Sequence, residues 1–157
     1  MGDDRMAGKR YPFVRVSGSH HEMGYQLGKK CEDKIRRFNE VILSNPTGLA
    51  RASTKIPLEE AKRRVRAFIP AFERYCPHLL EEIRGIAEGA GMSLEEAMLP
   101  NVRSGILRVQ GCTAFALSGK VTADGKIRAG QNADLHSDLG DVGIVLNIIP
   151  EEGPQIL

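Results

Sequence analysis

Tryptophan is absent, only eight of the 157 residues are aromatic, and there are just three cysteines. Cys31, Cys76 and Cys112 are too widely spaced for a disulfide framework or a Cys-x-x-Cys metal site, so a reducing compartment is expected. Neither charge sign dominates: 22 Lys and Arg stand against 20 Asp and Glu, a formal net charge of +2. Such a balance offers no general electrostatic attraction to nucleic acid or to an anionic membrane. No apolar run is long enough to span a bilayer, and the segment Met1–Met6 has no apolar core of a secretory signal. Met6 stands where an N-myristoylation motif requires Ser or Thr. The expectation is a soluble, cytoplasmic protein with no cofactor, no metal, no nucleic-acid partner and no membrane partner.

Apolar residues make up 41% of the chain, enough for a packed domain of this length. Residues 12–18 alternate like a short strand. Ser19 and Glu22 then form a capping box, opening a long amphipathic helix striped by Met23, Leu27, Cys31, Ile35, Phe38 and Ile42. Gly24 and Gly28 lie on a neighbouring stripe. Each costs a helix about 1 kcal/mol against Ala, which points to a close backbone contact. Beyond a loop near residues 45–55, Pro57 opens a second helix that Pro70 should kink or divide. Pro77 starts a third, stopped by Gly89 or Gly91, and Ser93 with Glu96 caps a fourth that runs towards Leu107 and is disturbed at Pro100.

The remainder reads as β: residues 112–118, a return over 126–132, and an apolar, buried strand over 142–149. Asp124-Gly125 is the dipeptide of a two-residue type I′ hairpin. That loop sets Cys112 opposite Ser137 and Asp134 opposite Phe115, about 10 Å along the strand from Cys112. Cys112, Gln131, Asn132, Asp134 and His136 thereby collect near one end of the hairpin.

Among the cysteines, Cys31 reads as a small apolar residue on a helix stripe, and Cys76 as a helix-start neighbour. Cys112 follows Gly111 at a strand opening, where a sharply bent backbone can present a nucleophile. His136 is the histidine nearest to it, so a Cys–His pair is a second candidate arrangement. His20 and His21 read as solvated, and His78 as surface or cap material. Gly24-x-x-x-Gly28-Lys29 lacks the spacing and Ser/Thr of a phosphate loop. The basic run from Lys62 to Arg66 reads as a solvated helix face interleaved with Glu59, Glu60 and Glu73.

Gly111-Cys112-Thr113, a hairpin, then Gly130-Gln131-Asn132-Ala133-Asp134 resembles the acyl-coenzyme A:6-aminopenicillanic-acid acyltransferase (isopenicillin-N acyltransferase-like) family. These are N-terminal-nucleophile cysteine hydrolases, distantly similar to choloylglycine hydrolases. Gly18-Ser-His-His-Glu-Met-Gly24-Tyr-Gln-Leu-Gly28 and the stretch from Pro77 to Gly91 are similar to that family as well. The resemblance covers nearly all of the chain from residue 12 onward.

It implies an α+β fold, part of an αββα sandwich, in which a mainly helical segment 1–111 precedes a nucleophile-bearing β-chain beginning at 112. It also implies self-cleavage between Gly111 and Cys112. Cys112 would then act on a small amide or acyl-CoA substrate through an acyl-enzyme, with Asp134 orienting the site and Asn132 supporting it. Ala133 departs from the family, which often carries an aromatic there. From Cys112 to Leu157 the chain is too short for the whole two-sheet part of such an enzyme. A truncated chain, weak or inactive alone and prone to self-association or in need of a missing C-terminal portion, is therefore expected. Two readings compete: a Cys112/His136 thiol hydrolase without self-cleavage, and a non-catalytic helical interaction module.

Overall fold

The computed structural model describes residues 11–44, 55–107, 112–133 and 137–157. Over these the chain is α+β, in the order β1 (Phe13–Gly18), α1 (His20–Ser44), α2 (Leu58–Arg66), α3 (Ile69–Tyr75), α4 (Pro77–Gly89), α5 (Leu94–Leu107), β2 (Cys112–Leu117), β3 (Arg128–Ala133) and β4 (Val145–Pro150). Most of the predicted loop after the first helix lies outside the described residues.

Both capping boxes form. Ser19 donates from its backbone N–H and its hydroxyl to Glu22 Oε2 at 2.9 and 2.8 Å, and the Glu22 N–H donates back to Ser19 Oγ at 3.3 Å. Ser93 and Glu96 repeat the arrangement at 3.1, 2.6 and 3.4 Å, so each helix start satisfies free N–H groups with its own side chains. Pro70 divides α2 from α3 and sits in the first turn of α3, where its missing N–H removes no helical bond. The end of α4 is a Schellman motif. Gly91 takes φ +58°, Met92 N–H donates to the Ala87 carbonyl at 3.0 Å, and Gly91 N–H donates to Glu88 at 3.2 Å.

Pro100 does not break α5, which runs through it. Proline leaves the carbonyl four residues earlier, that of Glu96, without its helical donor. The buried amide of Asn39, reaching across from α1, donates to that carbonyl at 2.9 Å.

α1 and α4 meet through glycine. A methyl group on Gly24 would collide with the Glu82 carbonyl and one on Gly28 with the Ile86 carbonyl. Gly85 and Gly89 meet His21 and Tyr25 of α1 in the same way. The missing side chains let the two backbones touch, and the buried stripe of α1 runs through these glycines rather than through the half-buried Leu27 and Ile35. α1 also leaves helical geometry at Cys31 (φ −128°, ψ 20°).

One core cluster joins α1, α2, α4 and α5, with Val65, Met98 and Leu99 at its centre. A second lies between α1 and β1, formed by Val14, Val16, Met23 and Cys31. β1 pairs in parallel with β4, Phe13 facing Val145 and Gly18 facing Pro150. α1 fastens this sheet through long polar side chains. Gln26 Nε2 donates to Ser17 O at 2.7 Å, Lys30 Nζ to Arg15 O at 2.7 Å, and Lys34 Nζ to Asp141 O at 2.8 Å. β4 is shorter than the expected 142–149 at its start and only half-buried, because among the described residues the sheet has two strands and one covered face. On its other edge Ile148 and Ile156 exchange backbone bonds at 2.8 and 3.0 Å.

Candidate nucleophile site on the β2–β3 hairpin

β2 and β3 form an antiparallel hairpin, but in a different register from the expected one. Cys112 faces Ala133 rather than Ser137, Thr113 faces Asn132, and Phe115 faces Gly130 rather than Asp134. The reason is local. Asp124-Gly125 is not a two-residue loop but the close of a turn from Thr122, whose carbonyl accepts from Gly125 N–H at 3.3 Å, with Gly125 at φ +69°. This turn sits within a longer connection over 118–127 that includes a short 3₁₀ turn at Gly119–Val121. Thr122 Oγ1 donates to the Lys126 carbonyl at 2.8 Å, and Lys126 N–H donates to Asp124 Oδ1 at 3.3 Å, which fixes the return.

In this register the 112–133 pair lies one step along the ladder from the pair of Thr113 with Asn132. Cys112 pairs with Ala133, immediately after Asn132 and immediately before Asp134 in sequence. Asn132 is exposed and pairs with Thr113; Gln131 pairs with Ala114. Strand alternation puts Asn132 on the ribbon face of Thr113, Phe115 and Leu117, and Gln131 on that of Ala114 and Ala116, the face to which position 112 belongs. Gly130 leaves room for the Phe115 ring, since a methyl group there would lie 2.7 Å from Cε1. Gly111, Asp134 and His136 lie outside the described residues.

The other candidates separate cleanly. Cys31 is buried in the α1–β1 core, and burial pushes its thiol above the ordinary range, so it is a packing residue. Cys76 is half-buried at the start of α4. His20 Nδ1 lies 3.6 Å from Glu82 and its ring centroid 5.0 Å from that of His78, while His21 Nε2 lies 3.3 Å from Glu88. Among the described residues no three His, Cys, Asp or Glu side chains gather in metal-holding geometry. The basic run is occupied by carboxylates. Glu60 takes Arg63 at 2.8 Å and Arg64 at 2.7 Å, Glu95 takes Arg66 at 2.6 Å, and Glu96 takes Lys62 at 3.2 Å. No described helix is long and apolar enough to cross a membrane.

No family model matches the chain. It is 28% identical over 148 residues to the acyl-coenzyme A:6-aminopenicillanic-acid-acyltransferase 40 kDa form of Emericella nidulans. The likeness is to an acyltransferase. It covers 91% of this chain and 39% of that relative, so the chain spans about two fifths of the fungal protein's length. The relative carries the same name as the family that the motifs around Cys112 resemble.

Proposed function

We propose that the chain is the N-terminal part of a self-processing cysteine amidohydrolase or acyltransferase of the N-terminal-nucleophile type, with Cys112 as nucleophile. The observation that carries the reading is the distant likeness to the fungal acyltransferase, which extends over 91% of this chain. The hairpin adds that Cys112 stands at the head of β2, paired with Ala133.

In this reading the Cys112 thiol attacks the Gly111 carbonyl carbon. The Gly111–Cys112 peptide bond breaks, the amine leaves with a proton, and water hydrolyses the resulting thioester. Gly111 adds no side chain to crowd the carbonyl. The freed α-amino group, with an ordinary pKa of about 7.7–8.0, can take the thiol proton in the next reaction. The mature thiolate then takes an acyl group from a linear amide or acyl thioester and passes it to water or to an amine. Asp134 orients the new amino terminus, Asn132 supplies a structural hydrogen bond, and His136 has no part. Segment 1–111 is the helical pro-part and 112–157 opens the β-chain of an αββα sandwich.

The test is acyl trapping. Treated with an acyl-CoA, the processed protein should gain one acyl mass on the peptide that begins at Cys112. Cys112→Ala should gain none, Asp134→Asn should trap far less, and His136→Ala should trap as the parent does. Loss of trapping in His136→Ala would favour a Cys–His hydrolase instead.

A further inference from the structure

α1, α4, α5 and the approach to β4 enclose an open cavity of about 330 Å³. That is within the size range of small-molecule sites, which are mostly apolar with a few placed polar groups. Leu27, Phe38, Ile86 and Ile144 supply apolar wall. The Cys31 thiol, kept protonated by burial, adds to that wall rather than to any chemistry. Three lining residues are polar: Lys34, Glu82 and Asn101. Glu82 already faces His20 at 3.6 Å. Lys34 is half-buried, and among the described residues it has no carboxylate within ion-pair distance. Its ammonium donates one bond, to the Asp141 carbonyl at 2.8 Å, which fixes its position and leaves two N–H groups to give. The Lys34–Asp141 bond is exposed to solvent, so the ammonium stands at the open side of the apolar cavity, where a carboxylate head can reach it while an alkyl chain lies inside.

We infer that this cavity binds a small amphiphile, an unbranched alkyl carboxylate, with its chain along the apolar wall and its carboxylate on Lys34 Nζ. The site is separate from Cys112 and does not rest on the acyl-transfer reading. A charge pair at an exposed position corresponds to a few-fold difference in affinity, about 0.5–1 kcal/mol.

Calorimetric titration of the full chain with decanoate, and separately with decan-1-ol, tests the assignment. Decanoate should bind at one site and a few-fold tighter than the alcohol. Lys34→Gln should erase that difference by weakening decanoate alone, and Lys34→Arg should restore it. Val142→Trp, or Asn101→Trp at the rim should the first variant misfold, should block both probes. Equal affinity of the parent for acid and alcohol would overturn the headgroup assignment. Binding that survives a correctly folded blocking variant would overturn the site.

Discussion

Asn39 donates to a carbonyl 57 residues away that Pro100 leaves without its helical partner. Replacing it with Ala orphans the Glu96 carbonyl next to the core. The expected loss is about 1–3 kcal/mol, read from urea midpoints at unchanged denaturant slope. Gly85→Ala acts by the opposite route, pushing a methyl group into the His21 carbonyl. Overpacking of this kind costs about 1–3 kcal/mol, and the same urea series checks it. The exposed helix position of Glu81 provides the control, where Ala should change little. The sequence marks Gly24 and Gly28 because glycine is costly inside a helix with no turn to explain it. Gly89 is harder to read, since a glycine near a helix end looks like a stop signal; its contact with α1 is decided by a helix far away in sequence. The disturbance at Pro100 is predictable from its ring, while its repair by Asn39 is not, because nothing local links the two.

At the level of elements, α2 and α5 are held together partly by a seam of charge. Within α2 itself, hydrogen bonds from Arg63 and Arg64 bring the Glu60 carboxyl down to about 2, while the bonds that cross to α5 are those of Arg66 with Glu95 and Lys62 with Glu96. The Arg66 bond lowers Glu95. For Glu96 burial pushes upward, but the Ser93 bonds and Lys62 outweigh it and the net direction is down. Each carboxyl is therefore more acidic folded than unfolded. Their stabilisation is complete above the ordinary value of 4.5 and is lost as pH falls through the folded values, towards 2 for Glu60. Urea midpoints should fall between pH 6 and pH 3, and Glu95→Gln should flatten that slope. A slope unchanged in the variant would mean the seam does not contribute. Helix starts were legible because a capping box is a four-residue signal. The hairpin register was not: Asp-Gly serves both a two-residue loop and the end of a longer turn, and Thr122 and Gly119 decide between them.

Across the whole molecule, the parallel pairing of β1 with β4 joins the first and last described strands in one sheet packed on α1. Sequence reasoning finds both strands, yet their pairing follows from α1 fastening β1 and the 141 backbone to the same face, which no short window contains. The hairpin, in contrast, leaves Phe115 57% and Ile127 81% exposed. Exposed apolar side chains beside unpaired strand edges favour association. Sedimentation should find the chain self-associating at high concentration, and Phe115→Thr with Ile127→Thr should reduce it.

The central claim is that Cys112 is a nucleophile released by self-cleavage, and intact mass tests it most directly. The parent, alone or continued past Leu157 to the length of the fungal relative, should split at the Gly111–Cys112 bond, and Cys112→Ala should stay whole. Both versions of the parent remaining uncut, the shorter at 17.2 kDa, would contradict the account.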